Sequence, residues 1–166
     1  MARPGRPRKY DPVADDIERC IRNGEDATAK KLITAHEVDL PDGDARTPLI
    51  WASFYDCGSL LQWIIDRGGD VNHQDRNGQG ALHFAAQKKL GDIAEILLRA
   101  GAETELRDVY GNTPLWTATF NARGDLSVVK LLATEGASFD NKNNAGKTVR
   151  EMAEKFFPDE LAKLLR

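Results

Sequence analysis

The sequence has few of the residues that build disulfide frameworks and metal centres. Its 166 residues include two cysteines, two methionines and three histidines. Cys20 and Cys57 are too few for a disulfide framework and match no metal spacing, so we expect a reducing, cytoplasmic setting. His36, His73 and His83 are widely spaced, and none stands at ligand spacing from a cysteine or carboxylate. We therefore expect no metal and no cofactor.

Long apolar runs and a strong net charge are also missing. No run approaches the length of a membrane span, and the basic N-terminus lacks the apolar segment of a secretory signal. The formal net charge of −3 gives no bulk basicity for nucleic acid binding. No acid–base or nucleophilic constellation suggests catalysis. We expect a monomeric, non-enzymatic protein without a membrane partner.

A short stretch of sequence recurs at a fixed spacing. The segments DGDARTPLIWA, DRNGQGALHFAA and DVYGNTPLWTAT begin at Asp42, Asp75 and Asp108, which are 33 residues apart. A fourth copy, NNAGKTVREMA, begins at Asn143, two residues later than this period requires. One unit of this size cannot bury its own apolar stripe, so the repeat predicts a stacked array.

Each copy has the pattern of a turn followed by two helices. In the third copy, Gly111 tolerates a positive φ, Thr113 can cap a helix, and Pro114 suits the first helical position. Apolar residues at helical spacing then predict a second helix, which a glycine ends. The predicted first helices are 48–55, 81–88 and 114–121, and the second helices contain residues 60–65, 93–98 and 128–132.

The period, the Gly-x-Thr-Pro-Leu motif and the closing Gly-Ala resemble the ankyrin repeat family, over residues 36–166 and more weakly over 13–35. The resemblance implies an all-α solenoid of stacked helix–turn–helix units, with protruding β-turn hairpin loops and a concave face that binds other macromolecules. The predicted parts are a disordered basic tail (1–12), an N-terminal cap repeat (13–41), full repeats (42–74, 75–107 and 108–142) and a C-terminal cap repeat (143–166).

The resemblance also predicts how the repeats hold together. In the family, a threonine hydroxyl and a histidine tie adjacent turns by hydrogen bonds. Here only the second copy has the histidine, His83, while Ile50 and Trp116 occupy the same position elsewhere, so we expect an incomplete network. The residues predicted to pack in the core include Trp51, Trp63 and Phe84, and in the C-terminal cap Leu161, Leu164 and Leu165.

The third copy is two residues longer than its neighbours between Ala118 and Gly136. Helix packing cannot absorb two residues, but a surface connection can. We therefore place the insertion near residues 121–123, in the connection between the two helices. Neutral drift is the alternative to a functional role for it.

Family geometry directs the hairpin tips and the ends of the first helices to the concave face. Aromatic residues there are costly in water unless a partner covers them, and partial burial against a neighbouring repeat is the alternative. We expect non-catalytic protein binding, as an inhibitor, an immunity-type protein or a scaffold, with a partner whose surface is basic because the body is acidic. The predicted protein-binding residues are Arg46, Phe54, Tyr55, Arg76, Asn77, Gln79, Gln87, Lys88, Val109, Tyr110, Asn112, Phe120, Asn121 and Arg123.

The basic N-terminal tail resembles an AT-hook, a short segment that lies in the minor groove of A·T-rich DNA. The residues that carry the resemblance are Arg3, Gly5, Arg6, Pro7, Arg8 and Lys9. The alternative function is therefore a DNA-tethered adaptor, and salt-dependent binding to A·T-rich duplex through residues 1–10 would select it. A solubilising tail and contact with an anionic membrane are the other interpretations.

Deleting residues 1–10 should leave the thermal unfolding midpoint nearly unchanged. Pro4, Pro7 and the dense positive charge disfavour regular structure in this segment. Circular dichroism during heating measures the midpoint of the full chain and of the shortened one. A large drop would show that the tail packs on the array.

Overall fold

The computed structural model describes residues 11–159, and within this range it contains nine α-helices. The predicted AT-hook at residues 3–9 and the predicted inward-facing residues Leu161, Leu164 and Leu165 lie outside the described residues. The all-α class is confirmed. The helices are α1 (Val13–Arg22), α2 (Asp26–Ala35), α3 (Pro48–Phe54), α4 (Gly58–Ile65), α5 (Ala81–Lys88), α6 (Gly91–Arg99), α7 (Pro114–Asn121), α8 (Ser127–Thr134) and α9 (Val149–Phe156).

The helices pack in two rows, and each full repeat contributes one helix to each row. Helices α1, α3, α5, α7 and α9 follow one another in the first row, while α4, α6 and α8 follow one another in the second. The apolar side chains of both rows form one continuous core. Each large aliphatic side chain buried in it contributes about 1.5–3 kcal/mol to stability. Fully buried members include Leu49, Leu60, Leu61, Ile64, Ile93, Leu97, Leu115 and Leu132.

A single side-chain oxygen shapes each of the four hairpins that precede the first-row helices. In the third hairpin, Oδ1 of Asp108 accepts hydrogen bonds from the backbone N–H groups of Tyr110 and Asn112, at 2.9 and 2.8 Å. The backbone N–H of Asp108 in turn donates to the carbonyl of Asn112 at 3.0 Å. The residues that do the same in the other hairpins are Asp42, Asp75 and Asn143.

Adjacent hairpins are joined by one backbone hydrogen bond at their tips. The N–H of Val109 donates to the carbonyl of Asn77, at 2.9 Å. The other two hairpin pairs repeat this bond at the same distance. Gly111 has a φ of +75°, and a Cβ there would lie 2.9 Å from the backbone nitrogen of Asn144 in the next hairpin. Glycine is therefore required both by the backbone conformation and by the close approach of the next hairpin.

The first-row helices begin at capped threonines in three of the four copies. The hydroxyls of Thr47, Thr113 and Thr148 each accept from a backbone N–H three residues later. The second copy has Gly80 in place of the threonine, and the side chain of His83 provides the hydrogen bond at the start of this helix. Its Nδ1 accepts from the N–H of Gly80, so Nε2 carries the proton and donates to the carbonyl of Asn112, with both distances at 3.2 Å.

Two of the three aromatic residues predicted to pack in the core are only half-buried. Phe84 is buried as predicted, but Trp51 and Trp63 are each partly exposed. The indole N–H of Trp51 donates to a carboxylate at the hairpin base, which keeps that edge near the surface. Trp63 lies under the guanidinium of Arg67, whose central carbon is 3.6 Å from the ring centroid. The ring of Trp63 thus packs partly against the core and partly against a cation.

The insertion in the third copy lies in the connection between its helices, as predicted. Residues 122–126 join α7 to α8, whereas 55–57 join α3 to α4 and 89–90 join α5 to α6. Ala122 and Leu126 in this longer connection are buried. The longer connection therefore packs on the core.

The stability of the chain should fall as the pH drops below about 6.5, in part because of His83. Burial lowers the pKa of this imidazole from its ordinary value of 6.5, although the carbonyl of Asn112 and the charges of Asp108 and Asp75 oppose the shift. The unfolded state therefore binds more protons in that range, and stability is lost as the pH falls towards the folded-state pKa.

Denaturant unfolding at several pH values measures this effect against a His83→Gln variant, which keeps a hydrogen-bonding side chain but does not titrate. The variant should show a flatter dependence between about pH 7 and pH 5, since His36 and His73 are common to both proteins. Parallel curves for the two proteins would show that His83 does not contribute.

Candidate protein-binding surface

The concave surface is defined here as the solvent side of the first-row helices together with the hairpin tips. Its N-terminal half is filled by its own aromatic side chains. The ring of Phe54 contacts those of Trp51, Tyr55 and Phe84, with centroid distances of 5.0–5.8 Å. The ammonium of Lys88 lies 4.1 Å above the ring of Phe54. The aromatic rings in this half therefore already contact one another and a lysine of the chain itself.

Arg46 is part of the scaffold in this half. Its guanidinium lies between the rings of Trp51 and Phe84, at 5.0 and 5.5 Å from their centroids. Its Nε donates to Oδ2 of Asp75 at 3.2 Å, and the carboxylate of Asp75 is fully buried. The ion pair joins the first hairpin to the second. Arg46, predicted as a binding residue, is thus already engaged within the chain.

The four aromatic residues predicted to bind a partner divide into two that are partly buried and two that are exposed. Phe54 and Tyr55 are half-buried, and the hydroxyl of Tyr55 donates to Oε1 of Glu18 at 2.7 Å. Burial, together with this carboxylate, raises the pKa of Tyr55. Tyr110 and Phe120 are instead 69% and 70% exposed. Only these last two have the exposure that a partner-covered aromatic residue needs.

The C-terminal half of the concave surface contains an open groove of about 300 Å³ between the second and third repeats. One side is lined by the rings of Trp116 and Phe120, and the rest is largely polar. Within residues 11–159, the carboxamides of Gln79 and Gln87 have no hydrogen-bond partner. The residues that line this groove are Gln79, Gln87, Asp108, Asn112, Trp116, Thr117, Phe120 and Asn121.

A second groove, of about 330 Å³, lies between α7 and α9 and shares Trp116 and Phe120 with the first. Its walls are more apolar, because Met152 and the exposed ring of Phe156 line it. Its charged lining residues are Lys147, Glu151 and Lys155. The two grooves together form a continuous strip on either side of the Trp116 and Phe120 rings.

The remaining predicted binding residues lie on the same surface in different states. Asn112 and Asn121 are half-buried and donate side-chain hydrogen bonds within their own repeat. The hairpin-tip residues Arg76, Asn77 and Val109 are exposed. Arg123 is exposed in the α7–α8 connection, where its φ is +46°. No contact with a partner tests these predictions, which therefore remain proposals.

Sequence reasoning missed the residues that shape the grooves, namely Trp116, Thr117, Met152 and Phe156. A signal existed in the repeat alignment. Thr117 stands 33 residues after Phe84, which stands 33 residues after Trp51. The third copy therefore has a small residue at a position where the first two copies have an aromatic one. Phe156 follows Asn121 by 35 residues, the offset of the fourth copy, and so occupies the end of its first helix.

Comparison with known proteins identifies the repeat. The family model for ankyrin repeats, in three copies, matches residues 17–108 and 51–143. The chain belongs to the ankyrin repeat family. Ankyrin repeats are protein-interaction modules rather than catalytic folds, so the chain is a protein-interaction module. In the described part of the chain, no group of three or more metal-ligating side chains could hold a metal ion, and no helix could cross a membrane.

Several curated proteins contain similar ankyrin regions. The chain is 34% identical to E3 ubiquitin-protein ligase Ufd4 of Drosophila melanogaster over 66% of its own length and 4% of that protein. It is 32% identical to inversin of Gallus gallus, over 64% of the chain and 10% of that protein. It is 26% identical to NF-kappa-B inhibitor delta of Mus musculus, over 81% of the chain and 48% of that protein. In each case the matched region is less than half of the relative.

Replacing Arg46 by alanine should lower the free energy of unfolding by about 3 kcal/mol, because it leaves the buried carboxylate of Asp75 without its cation. Arg76 is a matched control. It is an exposed arginine at the next hairpin tip, and no ion pair holds it within residues 11–159. Arg76→Ala should therefore change stability little. Urea unfolding of both variants measures the difference, and equal effects would contradict a scaffold role for Arg46.

Proposed function

We propose that this ankyrin repeat chain binds one partner protein on the C-terminal half of its concave surface and inhibits that partner by covering it. The observation that carries the proposal is the exposure of Tyr110 and Phe120 beside two grooves. The exposed large hydrophobic residues of the described chain are Val109, Tyr110, Phe120 and Phe156, and the third repeat supplies the first three. Exposed aromatic residues next to concave surfaces are typical of energetic hot spots in protein interfaces.

Two further features support this choice of surface. The N-terminal half of the concave surface is occupied by its own rings and cations, whereas two open grooves lie towards the C-terminal half. Trp116 is half-buried and lines both grooves, which gives the strip a rigid aromatic centre. Aromatic side chains lose little conformational entropy on binding, and this favours them as anchors.

An inhibitory role agrees with one relative in particular. NF-kappa-B inhibitor delta is named as an inhibitor. It matches a larger part of this chain than do the other two relatives described above. When a partner binds to the concave surface, the part of the partner that is covered can no longer contact other molecules. This mode of action includes immunity-type inhibition, in which the partner is a toxin enzyme.

The variants Tyr110→Ala and Phe120→Ala test the proposal. Each should weaken partner binding at least about tenfold, since truncating a hot-spot residue costs about 2 kcal/mol or more. Both should leave the unfolding midpoint nearly unchanged, because both side chains are mostly exposed. Affinity capture from native cell extract, followed by titration of the protein that wild type retains, measures the effect.

Two controls separate binding from folding. Trp63→Ala removes a half-exposed aromatic residue from the second helix row and should leave partner binding intact. Phe84→Ala removes a buried ring and should destabilise the fold by about 3–5 kcal/mol. If the Tyr110 and Phe120 variants retain the same protein with wild-type affinity, the proposed surface is wrong.

A further inference from the structure

The groove beside Thr117 exists because the third repeat lacks a ring that the two preceding repeats have. Trp51 and Phe84 occupy equivalent positions and pack on the concave side against Phe54. At the next equivalent position Thr117 has no ring, and the groove of about 300 Å³ opens there. Arg46 lies between the first two rings, and its equivalent in the second copy, Gln79, lines the groove.

We propose that this groove receives one tyrosine side chain from an acidic segment of the partner protein. The inference rests on the proposed function and adds the chemistry of the segment that binds. The incoming ring would continue the series of rings that begins with Trp51 and Phe84. At about 300 Å³, the groove is at the lower end of the volumes of ligand sites, which suits a single side chain better than a larger group.

The lining of the groove favours tyrosine over a purely apolar residue. Trp116 and Phe120 provide the aromatic contacts on one side. Gln79 and Gln87 provide carboxamides that can both donate and accept, and within the described residues neither has a partner. A buried tyrosine hydroxyl needs such a partner, whereas a phenylalanine ring would leave the desolvated carboxamides unpaired.

The charges near the groove favour acidic residues on either side of the tyrosine. Lys147 and Lys155 line the adjoining groove, and the contact between Lys147 and Glu151 is an exposed pair at 3.8 Å, which is weak. The carboxylate of Asp108 also lines the tyrosine groove, but three N–H groups already bind it.

A phage-displayed library of random short peptides, selected on the full chain, tests the inference. The enriched peptides should carry a tyrosine next to aspartate or glutamate, and their binding should weaken as salt is added. A synthetic peptide of the enriched sequence should bind Thr117→Phe at least about tenfold more weakly, because the new ring fills the groove. The Thr117→Val variant keeps the groove open and should bind like wild type.

A matched pair of charge reversals tests the electrostatic part. Lys155→Glu, in the adjoining groove, should weaken binding of the synthetic peptide about tenfold. Lys130→Glu makes the same change at an exposed position of α8, in the second helix row, and should have no effect. Both lysines are exposed, so these two variants test the requirement for acidic residues even if Thr117→Phe fails to fold, and equal binding to both overturns it.

The outcomes separate this inference from the proposed function. Enriched peptides that are basic, or that lack an aromatic residue, overturn the inference, as does the absence of any enriched peptide. Equal binding of the enriched peptide to wild type and Thr117→Phe also overturns it. In each of these cases the proposed function survives if Tyr110→Ala and Phe120→Ala still lose the captured protein.

Discussion

The stacking of each hairpin on the next is the contact on which the rest of the structure depends. One backbone hydrogen bond joins each pair of tips, and that bond requires every hairpin to have the same shape. The shape is set by a single oxygen, such as Oδ1 of Asp108, which holds two N–H groups of its own turn. The hairpins place the first-row helices at a regular spacing, and this spacing lets their apolar faces form a continuous core.

The most accurate predictions from the sequence were those that depend on local chemistry. Gly111, Thr113 and Pro114 act within a few residues of one another, so their motif predicts a turn and a helix start without knowledge of any neighbour. The helices α5 and α7 match their predicted bounds, and α3 ends one residue earlier than predicted. The position of the insertion also followed from a local argument, since only a connection tolerates extra residues.

Predictions that depend on neighbouring repeats were less accurate. Trp63 was assigned to the core because of its position in the repeat, but it is only half-buried and the guanidinium of Arg67 covers its ring. Arg46 was predicted to bind a partner because of its hairpin position, and the sequence alone did not reveal that it pairs with Asp75 of the next repeat. The groove beside Thr117 was missed for another reason. A site formed by a missing side chain becomes visible only when equivalent positions of several repeats are compared in space.

The acidity of the chain is a poor guide to its partner, because many of its carboxylates have structural tasks. Asp42, Asp75 and Asp108 each hold two N–H groups of a hairpin, and Asp39 and Glu105 each accept from one backbone N–H group of the following repeat. The fourth hairpin uses the uncharged Asn143 for the same task, so the turn requires an oxygen acceptor and not a negative charge. The carboxylates of these aspartates and of Glu105 are thus already engaged, whereas cations such as Lys147 and Lys155 remain exposed beside the open grooves. Electrostatic complementarity depends on the local surface and not on the net charge of the chain, and this is why the grooves favour an acidic segment.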